Sequence, residues 1–190
     1  MSSGATGRLE AHEIALLRGG PRAAVTVAVL GLHLRGAVEA GRPGTMRAAG
    51  ATGAPSPPPL TKAVHAALHR PAGMRQLLDR QGVRRALGAL RDELRAAGLL
   101  RTFPPGRTGA ARRLLKALRK EHPLPTNQRG LSTDDVLLAV ALHGDRALTA
   151  LAPRFTRQAG LTGRGGTTER EMRQSWGGGS GGGGFSCGAA

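Results

Sequence analysis

A chain of 190 residues accommodates one compact unit or two small ones, and a net charge of +16 sets the terms of its chemistry. The balance of 28 basic to 12 acidic residues suits an anionic partner, either nucleic acid or an acidic membrane face, although a GC-rich genome yields the same abundance of Ala, Arg and Gly. Aromatics are limited to Phe103, Phe155, Phe185 and Trp176, so the core must be Leu, Val and Ala, and Cys187 as sole cysteine excludes a disulfide framework or a Cys-based zinc site.

The first residues, Met-Ser-Ser-Gly-Ala-Thr-Gly-Arg, have no apolar core of the kind a signal peptide needs. Leu9 to Arg18 then has a helical pattern and Gly19-Gly20-Pro21 follows, with Gly19 placed to close one helix and Pro21 to open the next. Arg22 to Arg35 is apolar on almost every side, so it reads as a buried helix that Gly36 ends. Its apolar run, Ala24 to Leu34, is shorter than the about 20 residues of a bilayer span, and a cytoplasmic location is expected. Ala37–Ala40 and Thr45–Ala48 suit a small hairpin around Gly41-Arg-Pro-Gly44. These elements make a first module over residues 8–49, and the Pro/Gly-rich stretch 50–59 is a linker with an extended polyproline character.

The helical pattern resumes at Leu60–Arg70, and Pro71–Asp79 reads as a short second helix. Val83 to Ala97 is a third, with Val83, Leu87, Leu90 and Leu94 on one face and Arg84, Arg91 and Arg95 expected on the opposite side. Gly98 ends that helix and Leu99-Leu100 suits a strand. A helix, a glycine and an apolar pair is how the third helix of a winged helix-turn-helix runs into its wing. A shift of 62 residues lays Arg22-Ala-Ala-Val25 on Arg84-Arg-Ala-Leu87 and Gly36-Ala-Val38 on Gly98-Leu-Leu100. The second module, residues 60–121, ends in the basic amphipathic helix Gly109–Glu121, which carries Arg112, Arg113 and Lys116. A helical pair over 131–156 follows: Ser132 and Asp135 suit a capping box before Val136–Leu142, Asp145 caps the next helix, and Pro153 lies near its end. Residues 160–190 are polar and glycine-rich, a composition expected to stay disordered. The expected fold class is mainly α: tandem winged-helix-like modules with a minor hairpin, a helical pair and a tail.

Leu17-Arg-Gly-Gly-Pro-Arg22, Arg35-Gly36, Leu68-His-Arg-Pro71, Leu94–Leu100, Leu142-His-Gly-Asp-Arg-Ala-Leu148 and the glycine tail with Cys187 together resemble a family of uncharacterised actinobacterial proteins. Its members combine a winged-helix-like N-terminal region, often a membrane anchor, and a tail of glycines and cysteines. This chain departs in having no expected membrane span and one tail cysteine. The resemblance implies architecture and brings no activity.

Candidate catalytic groups have simpler explanations. Gly178-Gly-Ser180-Gly-Gly182 has the G-x-S-x-G spacing, but inside a glycine run it lacks the strand and helix that strain and expose the serine. His65 and His69 are four apart on one helix, a metal-ligand spacing, yet Ala66 stands where a metalloprotease has its Glu and no third ligand is near in sequence. Asp134, Asp135 and Asp145 fall at helix starts, where carboxylates cap free N–H groups. Nothing near Cys187 in sequence lowers its pKa. No catalytic residue, metal or cofactor is therefore expected.

The candidate anion- or partner-binding residues are Arg84, Arg91, Arg95, Arg112, Arg113 and Lys116. Arg84, Arg91 and Arg95 have no adjacent Asn or Gln in this reading to recognise adenine, and stacking platforms for single strands or RNA are lacking. The expected function is a non-catalytic interaction or scaffold protein with a protein partner; the alternative is a transcriptional regulator that lays helix 83–97 in the major groove of DNA.

Overall fold

A computed structural model describes residues 9–51 and 56–162; the glycine-rich segment 178–182 and Cys187 lie outside the described residues, as does all but the beginning of the 160–190 tail. The centre of the fold is α1 (Ala11–Leu34), in which every residue from Ala23 to Leu32 is buried. Such an all-round apolar helix must be enclosed by other elements. They are the hairpin β1 (Val38–Ala40) and β2 (Met46–Ala48), α2 (Pro59–Ala67), α3 (Met74–Asp79), α4 (Gln81–Ala96), the hairpin β3 (Leu100–Arg101) and β4 (Gly106–Arg107), α5 (Gly109–Glu121), α6 (Thr133–His143), α7 (Asp145–Leu151) and α8 (Pro153–Gln158). The architecture is mainly α, with two small antiparallel hairpins among the described residues. Buried side chains from Ile14 to Leu161 form one continuous core, so segments 8–49, 60–121 and 131–156 share a single interior.

The two expected helices meet end to end within α1 at Gly20, whose φ of 76° and ψ of −164° are non-helical and kink the span just before Pro21. Only a residue without Cβ adopts that conformation readily. Pro21 follows because the helix restarts there and its missing N–H leaves no bond unmade. At 24 residues, α1 is long and apolar enough to cross a membrane by length and composition, unlike the shorter run 24–34, and 78% of its most apolar window is buried by the rest of the chain.

Both hairpins follow a helix and a positive-φ glycine, Gly36 (φ 73°) and Gly98 (φ 70°). In the first, Val38 pairs with Ala48 and Ala40 with Met46. The outer edge of β2 is also used: Met46 exchanges backbone hydrogen bonds of 2.9 and 3.0 Å with Ala72, and the Ala48 N–H donates to Leu68 O at 2.9 Å. The expected helix over Pro71–Asp79 therefore starts only at Met74, since Ala72 is extended to meet Met46. Likewise α2 stops at Ala67 rather than Arg70.

In α6 the Ser132 hydroxyl accepts from the Asp135 N–H at 3.1 Å and the Asp135 carboxylate accepts from the Ser132 N–H at 3.2 Å, the reciprocal cap the sequence implies. Two corrections fall beyond it. Gly144, not Asp145, is the N-cap of α7, and Pro153 opens a third helix, α8, rather than closing α7. The α6 C-terminus is held by cations from distant elements: Arg18 Nε donates to Ala141 O at 2.7 Å and Arg119 Nε to Leu142 O at 3.1 Å. Guanidinium groups suit that end, where helix carbonyls lack partners and the dipole is negative. On α8, Phe155 stacks on His33 with ring centroids 3.7 Å apart.

Candidate anion-binding groove

α3 and α4 are separated by Arg80 alone, which forces a sharp turn between them. α3 buries Met74, Leu77 and Leu78, while α4 buries Val83, Leu87, Leu90 and Leu94. Counting about 100° per residue, Arg91, Arg84 and Arg95 stand about 80–120° from Val83. They lie on the flank of the apolar stripe, not opposite it, and the expectation of an outward face is corrected accordingly. The burial agrees: Arg91 is half-buried, whereas Arg84 and Arg95 are exposed.

That flank faces the β3–β4 hairpin. After Gly98 the chain reverses, Leu100 is anchored in the core and Arg101 is directed outward. Thr108 closes the base of the hairpin: its hydroxyl donates to Gly98 O at 3.0 Å and its N–H to Leu99 O at 3.1 Å. The same hydroxyl accepts from the Ala111 N–H at 3.2 Å and so caps α5. Between α4 and the hairpin lies a groove of about 980 Å³ with Pro21, Leu78, Leu87 and Leu100 among its apolar residues. Five arginines line it (Arg84, Arg85, Arg91, Arg95 and Arg101), with Asp79 the only carboxylate among the lining residues.

Burial is the main cause that holds the pKa of Arg91 below the ordinary arginine value; the neighbouring Arg95 adds to it and Asp92 opposes it. Arginine stays protonated at any physiological pH, so the shift records unfavourable desolvation and like-charge repulsion that an anion in the groove would relieve. Arg95 is partly neutralised by Asp92, three residues earlier, at 2.7 Å. The pair is exposed and open to exchange with a stronger anion.

The sequence-derived set divides. Arg84, Arg91 and Arg95 meet in the groove, while Arg112, Arg113 and Lys116 are exposed on α5 and do not line it. Sequence reasoning missed Arg85, Arg101 and Gln81. Gln81 is the first residue of α4 and lines the same groove, which supplies the amide that the helix otherwise lacks. Arg101 belongs to β3, and only the fold-back of the hairpin brings it to α4. Other arginines serve the fold itself: Arg22 Nη2, for instance, donates to Leu161 O at 3.2 Å.

A second cavity of about 630 Å³ has Ile14, Val27, Leu114 and Leu137 in its walls, with His12, His122, Asp134 and Asp135 among its polar lining. Three of its polar groups have structural partners. Asp135 caps α6, Asp134 lies 3.7 Å from Arg35, and His12 Nδ1 is 3.3 Å from Glu10 Oε2. His65 and His69 do not join His12 or His122 there; the His65 ring is bonded to Gly50 O at 2.8 Å. Comparison with protein-family models, curated proteins and solved structures finds no match to this chain.

Proposed function

We propose that residues 9–162 form a non-catalytic interaction module whose arginine-lined groove holds an extended polyanion, with duplex DNA as the partner. One observation carries the reading: five arginines from α4 and the hairpin converge on a groove with a single carboxylate in its lining. Guanidinium groups bind phosphate in a fixed fork but do not exchange protons near neutral pH, so such a lining suits recognition rather than acid–base chemistry. α2, α3, α4 and β3–β4 run in the order of a winged helix, and α1 with β1–β2 is its shorter counterpart. Membership in the actinobacterial family and a cytoplasmic location go with this reading.

Gln81, Arg84 and Arg85, exposed on the first turns of α4, support DNA over an acidic protein, because amides and guanidinium groups are the side chains that read purine edges. A second reading, a scaffold that docks an acidic protein segment, is favoured by Asp92 and Glu93, exposed further along the same helix, which phosphates would repel.

Salt decides between them. With three to five phosphate contacts, affinity for DNA falls roughly 40- to 500-fold between about 50 and 200 mM salt, at a slope of about −0.9 per contact. Arg84→Gln flattens that slope by about one unit. Under the scaffold reading, DNA binding is weak even at low salt and the substitution leaves its slope unchanged.

A further inference from the structure

We infer that Phe103, at the tip of the β3–β4 hairpin, enters the minor groove of duplex DNA and wedges against a base step while the arginine groove holds the neighbouring phosphate strand. The inference rests on the DNA reading above and adds a residue, a groove and a deformation to it. Phe103 is 91% exposed, and among the described residues only Leu124, at 40%, is another large exposed hydrophobic. Its position gives the exposure meaning. Arg101 and Gly106, on the two limbs of the hairpin, line the groove, and Phe103 stands between them at the turn.

A phosphate strand separates the major from the minor groove of a duplex. Seated between α4 and the hairpin, the strand has α4 on one side and the hairpin tip on the other. The major groove, about 12 Å wide, admits a helix; the minor groove, about 6 Å wide, admits single side chains but no helix. α4 with Gln81 and Arg84 therefore faces the major groove, and the Phe103 ring faces the minor one. The tip is stiff, since Pro104 and Pro105 follow Phe103 with their φ angles fixed and Thr108 ties the base of the hairpin to Gly98 and Leu99. A pre-ordered apolar side chain loses little freedom on insertion. Such wedges part adjacent bases and kink the duplex, most easily at a pyrimidine–purine step. A membrane surface fits the same residues less well, because interfacial binding needs a broad apolar face and here one ring stands beside a concave, charged groove.

The test uses the full chain and a duplex with 2-aminopurine beside a central TA step and a fluorophore at each end. The unmodified protein is expected to raise 2-aminopurine emission and to shorten the end-to-end distance. Phe103→Ala is expected to abolish both signals and weaken binding roughly 5- to 160-fold, the range for loss of one base–aromatic contact, with the salt slope unchanged. Phe103→Leu retains part of the kink. An Arg84→Gln/Arg95→Gln variant lowers the salt slope by about two but still unstacks the step once DNA is saturated. The ring is exposed, so both Phe103 variants melt as the parent does. Binding with the full salt slope, but with no unstacking or no effect of Phe103→Ala, overturns the wedge and leaves the groove reading standing. Absence of DNA binding at low salt overturns both. Phe103-dependent binding to phosphatidylserine vesicles without DNA binding also overturns both and assigns the tip to a membrane.

Discussion

Replacing glycine by alanine should have opposite effects at Gly20 and Gly88. At Gly20 (φ 76°, ψ −164°) an L-residue is held in a region essentially reserved for glycine, which costs about 1–3 kcal/mol. The reduced freedom of the unfolded chain returns about 0.4–1 kcal/mol, leaving a net loss near 1.5 kcal/mol. Straightening the kink is no escape. Pro21 would then sit inside a continuous helix, with its ring against the Leu17 carbonyl and a hydrogen bond missing, at about 3 kcal/mol or more. Gly88 lies within α4, and a Cβ there meets nothing within 4 Å. Alanine should therefore gain the helix-propensity difference of about 0.8–1.0 kcal/mol. For a folded unit of this size each kcal/mol moves the melting temperature about 2–4 °C, so Gly20→Ala falls by roughly 3–6 °C and Gly88→Ala rises by roughly 2–4 °C. Urea titrations followed by helical circular dichroism measure both, and equal m-values would show that the native states are comparable. A stabilised or unchanged Gly20→Ala would refute the kink geometry, and a destabilised Gly88→Ala would refute the open space at that site.

Leu94→Ala and Leu87→Ala, at sites 1% and 3% exposed, should each lose about 2–5 kcal/mol in the same titration, and parent-like melting of both would contradict the assigned face of α4. Thr108→Ala removes the α5 cap and two hairpin bonds; a loss of about 0.5–2 kcal/mol is expected, with faster hydrogen exchange at the Ala111 amide. Burial holds the His12 pKa below the ordinary 6.5, against the pull of Glu10, Glu13 and Glu93. The unfolded chain thus takes up the proton first, so stability present above pH 6.5 is lost as pH falls through the lowered native value. Melting temperature should drop between about pH 7 and pH 5, and drop less in His12→Gln; an identical decline in both proteins would remove His12 from the account.

Local patterns were readable where the physics is local. Val83, Leu87, Leu90 and Leu94 recur at the helical period because one face of α4 is buried, and Ser132 with Asp135 marks a helix start because both caps lie within one turn. The flank position of Arg84, Arg91 and Arg95 follows from the same period, but no sequence pattern says which element packs beside it. The extended pairing of Ala72 is not legible locally, because its partner, Met46, lies across a proline-rich stretch.

Local sequence signals account for most of the helices, the interruption at Gly-Gly-Pro, the first hairpin, the strand after Gly98 and the arginine-rich character of α4. Each depends on residues a few positions apart, through backbone sterics, capping and hydrophobic period. Which arginines act together depends on long-range packing. Arg18 reaches Ala141 and Arg119 reaches Leu142, where they hold helix ends, whereas Arg101 returns beside Arg91 and Arg95 to line a groove. The charge on these side chains is the same. Their surroundings differ, and surroundings are set by contacts between residues far apart in the chain, which composition and periodicity do not encode.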